Sequence, residues 1–172
     1  HEHEFYNIGT NLRGVMSMKK EQTNLNENFK ITTTEAIKLI DMMKERVIEA
    51  TLLFPSVGNK LEFDVYAKRE ETKFIVNIRR GSINNKKCTY QGRTYINSIP
   101  LLRLDITNSI HINPDGTKII GNHIHIYNEK HEMREAIPFD INNQDLYECC
   151  LEFFRRFNIL EESYRILYQT EM

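Results

Sequence analysis

The chain has 172 residues, of which 40% are hydrophobic and 27% charged, with 23 Lys and Arg against 24 Asp and Glu. The near balance of charge speaks against a globally basic protein that coats nucleic acid, and leaves a local basic patch open. No apolar run approaches the ~18 residues that span a membrane. Three cysteines, two of them adjacent, make no disulfide framework and fit a reducing, cytoplasmic setting.

Residues 1–17 open on His1-Glu2-His3-Glu4 and read as an expression leader or tag. Residues 18–31 are polar and aperiodic, which describes a flexible arm. A single α+β domain is expected over 32–172. The run Thr32-Thr33-Thr34-Glu35 offers a Thr N-cap with Glu soon after, and Ile37, Ile40, Met43, Val47 and Ala50 recur at helical spacing, which predicts an amphipathic helix to about residue 51. From Lys60 the period changes to two. Strands are expected at 61–68, 73–80, 86–96, 100–112 and 118–129, with a sixth at 134–139. The short turns between them imply antiparallel neighbours. Asn142 and Asn143 offer a cap for a last helix carrying Leu146, Cys149, Cys150, Phe153, Phe154 and Phe157, and 159–168 reads as a second helical segment. The expected plan is helix, antiparallel meander, helix, with the helices on one sheet face.

Alternation sorts the strands into faces. Leu102, Leu104 and Ile106 share one face, while Arg103, Asp105 and Thr107 share the other. His123 and His125 lie opposite Ile124 and Ile126. Arg79 lies with Asn77. The Asn113-Pro114-Asp115-Gly116 turn predicts that Asn113 faces Thr117. That register sets Asp105 opposite His125, Thr107 opposite His123 and Arg103 opposite Tyr127. A bulge, for which Gly121 is the natural place, would shift it.

A carboxylate beside an imidazole orients the ring and raises its pKa, which prepares a general acid or base. Arg79 and Arg103 would hold a phosphate or stabilise a developing oxyanion. His123, His125, Asp105, Arg103 and Arg79 are therefore the candidate catalytic set for metal-independent phosphodiester chemistry, with a ribose 2′-hydroxyl as nucleophile and no cofactor. The same residues would equally serve as plain cross-strand pairs. A metal held by His123, His125 and Asp105 is the minor alternative. His111 and His131 read as surface-loop residues, Cys149 and Cys150 as core or partly exposed thiols, and Cys88 as a strand residue without a nearby His or Asn pattern. A second set, Arg80, Lys86, Lys87, Tyr90 and Arg93, combines cations with aromatics as a nucleic-acid-binding patch would, or as a solvated hairpin edge would.

The runs Leu101-Leu102-Arg103-Leu104-Asp105, His111-Ile112-Asn113-Pro114-Asp115-Gly116 and His123-Ile124-His125-Ile126-Tyr127 resemble an uncharacterised family of small bacterial proteins found near phage and other mobile genes. Phe54-Pro55-Ser56, Arg79-Arg80-Gly81, Tyr90-Gln91-Gly92-Arg93 and Ile137-Pro138-Phe139 extend the resemblance over about residues 32–158. That family implies no activity. The His-x-His placement after a polar strand is also similar to that of some toxins of toxin–antitoxin pairs. The expected function is a toxin-like RNA or nucleotide phosphodiesterase. The alternatives are a non-catalytic protein that binds and inhibits a nucleic-acid-targeting defence or toxin–antitoxin partner, and a homodimer pairing through the Phe153, Phe154, Phe157 and Leu160 stripe.

Overall fold

The computed structural model describes residues 30–48, 50–141 and 145–168. The chain divides into two units between Lys30 and Ile31. All elements below belong to the second unit. The expected leader and most of the arm lie outside the described residues. The last arm residue, Ile31, is buried, and its carbonyl accepts a hydrogen bond from the Tyr127 hydroxyl at 3.1 Å. The core therefore begins one residue earlier than expected.

Helix α1 (Thr33–Asp41) starts as its sequence dictates, with a capping box joining Thr32 and Glu35. It ends ten residues sooner than its apolar spacing predicts. Glu45–Arg46 instead forms a short strand, β1, and pairs with Tyr66 and Val65. Met43 and Val47, expected on the buried face, are 60% and 67% exposed. Pairing with a sheet edge satisfies backbone groups that a longer helix would satisfy internally, so tertiary context overrides the local period.

Strands β2 (Leu52–Leu53), β3 (Lys60–Ala67), β4 (Thr72–Arg80), β5 (Cys88–Thr94) and β6 (Pro100–Ile106) follow. The expected strand over 100–112 then breaks, and a separate hairpin forms from β7 (Ile110–Ile112) and β8 (Lys118–Ile120). The chain returns to the sheet in β9 (His123–Ile126) and β10 (Ile137–Pro138). The main sheet is seven-stranded, in the order β1-β3-β4-β5-β6-β9-β10, and antiparallel throughout. One face presents Phe74, Val76, Ile78, Tyr90 and Leu104, all fully buried.

Helix α2 (Leu146–Arg156) is capped by Asp145, while Asn142 and Asn143 lie outside the described residues. Helix α1 packs on β6 and α2 on β5. The α2 stripe of Cys149, Cys150, Phe153, Phe154 and Phe157 is fully buried within the chain. The phenylalanines expected to pair two copies are therefore already covered. The segment expected as a second helix instead forms a short 3₁₀ turn and strand β11 (Ile166–Leu167), which runs parallel to β2.

Gly92 marks the tightest approach between sheet and helix. A Cβ there would lie 2.5 Å from Phe157 Cζ and 2.6 Å from Cε1. The ring stacks on Phe153 and meets Phe74 edge-on, so it has nowhere to move. Gly92→Ala is expected to lose about 1–3 kcal/mol by overpacking, read as a lower urea midpoint. An unchanged midpoint would refute this account of the packing.

Candidate functional site

The other face of the sheet carries two polar rows. Arg79 pairs with Thr89, Thr89 with Asp105, and Asp105 with His123. Two residues along, Asn77 pairs with Gln91, Gln91 with Arg103, and Arg103 with His125. The sheet thus gathers the whole expected catalytic set on one face, with side chains from adjacent strands about 5 Å apart.

The register differs from expectation by two. At the hairpin tip it holds: Asn113 donates to Thr117 O at 2.8 Å, and Ile110 faces Ile120. Between tip and sheet it slips, because Gly121 takes φ +90° and Asn122 turns its side-chain oxygen to the Thr107 amide. Asp105 consequently sits opposite His123, and Arg103 opposite His125. The glycine's access to positive φ makes the break possible, and β7–β8 forms a two-stranded sheet of its own.

His111 lies on this separate hairpin. Its ring lies 4.9 Å from those of both His123 and His125, centroid to centroid. Asn113 ties the hairpin down by donating to Ala136 O and accepting from Ala136 N, at 2.9 and 2.8 Å. His111, expected on a surface loop, is therefore part of the site. Alternation continued along the expected 100–112 strand would put it on the same face as Asp105 and Thr107, a signal that the surface-loop reading passed over. Only the bend at Gly121 turns that shared face into contact.

Backbone carbonyls fix the rings. His123 Nδ1 lies 2.8 Å from Gly121 O, His125 Nδ1 3.1 Å from Glu135 O, and His111 Nε2 3.1 Å from Arg134 O. Each of these nitrogens faces an acceptor and so carries hydrogen. Asp105 Oδ2 lies 3.4 Å from His123 Nε2 and 3.3 Å from His125 Nε2. Arg103 Nε donates to Asp105 Oδ2 at 2.9 Å, and its Nη2 meets His125 Nε2 at 3.0 Å. Thr89 donates to Asp105 Oδ1 at 2.8 Å.

Burial works to raise the pKa of Asp105, but His123, His125, the Arg103 charge and Thr89 together hold its carboxyl well below the usual carboxylate range. Its hydrogen bond with His123 raises that imidazole's pKa against an opposing burial effect. The two shifts run in the direction that favours a charged pairing of the His123 imidazole with the Asp105 carboxylate.

A cleft of about 450 Å³ opens above this row, lined by Arg79, Lys87, Thr89, Asp105, His111 and His123 among others. Arg79 is exposed. Lys87 reaches the rim, where it donates to Ser109 Oγ at 2.7 Å. His125, by contrast, is fully buried and does not line the cleft.

The expected nucleic-acid patch does not form as a unit. Tyr90 is fully buried and donates to Leu146 O, so it offers no stacking face. Arg80 is buried, donating to Pro55 O and Asn85 O at 3.3 Å each. Arg93 is paired with Glu62 at 3.2 Å. Lys86 is exposed, and Lys87 belongs to the cleft. Cys88, Cys149 and Cys150 are buried, and burial pushes the thiols of Cys88 and Cys149 up to about 12 and 11. They are core groups, which for Cys149 and Cys150 is the first of the two expected readings. Among the described residues no helix is long and apolar enough to cross a membrane.

No curated protein and no solved structure matches the chain. A family model does, over residues 31–159, a span that takes in α1, the whole sheet, the cleft and α2. The chain belongs to the family of unknown function DUF6978.

Proposed function

We propose that the cleft binds and cleaves a phosphodiester of RNA or a nucleotide by metal-independent acid–base catalysis. The observation that carries this reading is the convergence of two imidazoles, His111 and His123, with a carboxylate behind one of them and two cations at the rim. His111 Nδ1 takes the proton of the 2′-hydroxyl, since its Nε2 is already committed to Arg134 O. The 2′-oxygen bonds to phosphorus as the bond to the 5′-oxygen breaks. His123 Nε2 gives its proton to that leaving oxygen. Its 3.4 Å separation from Asp105 is loose for a charge-assisted bond, so the N–H can be shared with substrate. Arg79 and Lys87 hold the non-bridging oxygens. Arg79 stands three strands from His123, roughly 14 Å at ~4.8 Å per strand, a gap that one nucleotide and an extended arginine fill together.

The products would be a 2′,3′-cyclic phosphate and a free 5′-hydroxyl. Incubating the protein with end-labelled RNA in excess EDTA tests this directly. Cleavage to those ends is expected to persist with chelator. Loss of cleavage in EDTA would refute the metal-independent mechanism. Stable RNA binding without turnover would favour the non-catalytic inhibitor. A toxin encoded near mobile genes and acting in the cytoplasm is the biological setting this reading implies.

A further inference from the structure

We propose that His111, His123 and His125 form a binding site for one divalent cation of the zinc class, with Asp105 as the fourth donor. The inference stands independently of the phosphodiesterase reading. One ring nitrogen from each histidine lies within 4.8 Å of the other two. The tautomers suit metal. With Nδ1 of His123, Nδ1 of His125 and Nε2 of His111 turned to backbone carbonyls, the remaining nitrogens are the ones that can present lone pairs inward. An outer N–H held by a carbonyl is the usual support of a metal-bound histidine.

The spacing also fits. Asp105 Oδ2 is 3.4 and 3.3 Å from the Nε2 atoms of His123 and His125. Donors at the corners of a tetrahedron with bonds of ~2.0–2.1 Å are separated by about 3.3–3.4 Å. From the 4.8 Å outer limit, the His111 nitrogen must close by about 1.4–1.5 Å to reach the same donor separation. It sits on the hairpin and is only half-buried, so it has the freedom to do so.

Arg103 opposes the metal. Its Nη2 occupies the lone-pair side of His125 Nε2, and it brings a positive charge within 3.0 Å. Its side chain is 32% exposed and can turn outward. Metal and arginine therefore compete for His125, while metal and substrate proton compete for His111 and His123. A bound cation would silence acid–base cleavage.

The test is titration of the full chain with Co²⁺, followed by tetrahedral visible absorption and by calorimetry. One ion per chain is expected. Because His1 and His3 could bind metal themselves, the double variant His1→Ala/His3→Ala is titrated in parallel and should keep the site. His111→Gln should weaken binding at least ~10-fold, and Arg103→Gln should tighten it. Circular dichroism confirms that each variant is folded. Metal binding that vanishes in His1→Ala/His3→Ala, or that persists undiminished in His111→Gln, would overturn the proposal. Since no RNA is present, this result is separable from the fate of the cleavage reading.

Discussion

Replacing His111 with Ala is expected to lower RNA cleavage by about 10²–10⁴, the usual contribution of a positioned acid or base, while leaving the fold intact. The side chain is half-buried at a cleft wall. Removing it leaves the sheet, both helices and the Asp105 cluster in place. His131→Ala is the matched control. His131 is tied to its own loop: its amide donates to Asn128 Oδ1 at 2.7 Å, and its carbonyl accepts from Arg134 N and Nε at 3.1 and 3.2 Å. Cleavage by that variant should equal wild type. If His111→Ala cleaves at the wild-type rate, the base has been misassigned, and the convergence of imidazoles is structural. Asp105→Asn should also reduce turnover, but with a lower melting temperature, because its carboxylate joins Thr89, Arg103 and both histidines. Asp105 touches no substrate in this scheme and acts through His123.

The second large effect is expected at Lys44. This residue is fully buried, and its ammonium donates to Ile40 O, Met42 O and Phe157 O at 2.7, 2.8 and 2.9 Å. Those carbonyls end helices α1 and α2, where the backbone dipoles favour a cation. The rings of Phe74 and Phe157 flank the charge at 4.7 and 4.2 Å. Lys44→Met keeps the volume and strips all three donors. Each orphaned carbonyl costs about 1–3 kcal/mol, and release of the buried charge offsets part of that. A net loss of about 2–4 kcal/mol is expected in urea denaturation. A variant as stable as wild type would remove Lys44 from the account of what joins the two helices.

The same residue makes stability depend on pH. Burial lowers the Lys44 pKa to about 7 from its ordinary 10.5, against upward pulls from Asp41 and Glu70. Between those values the unfolded chain binds the proton and the folded chain releases it, so stability from this group rises with pH. The excess stability of wild type over Lys44→Met should therefore grow from pH 7 to 10.5. Comparing the two proteins cancels the buried thiols, whose raised pKa values act in the opposite direction. An excess that stays flat or shrinks would contradict the assignment.

Much of the fold was legible in the sequence because local rules decide it. The Thr32–Glu35 capping box begins α1 where it should. The period-two runs became β3, β4, β5 and β6, and the Asn113–Gly116 turn set the hairpin tip. The helical spacing of Leu146 to Phe157 became the buried stripe of α2. Alternation also sorted Arg79, Arg103, Asp105, His123 and His125 onto one polar face.

Tertiary structure decided the rest. Whether 43–47 continued a helix or joined a sheet depended on the free edge of β3, which no local pattern reveals. Whether Tyr90 and Arg80 met solvent depended on what packed over them. The two-residue slip at Gly121 changed every partner between β6 and β9 while preserving which face each side chain takes, because the side-chain period is two. The sequence by itself thus determined the chemistry of the face, since alternation is a property of the strand. The bend at Gly121 and the docking of Asn113 on Ala136 decided that His111 closes over that face, since they depend on contacts between segments far apart in the chain.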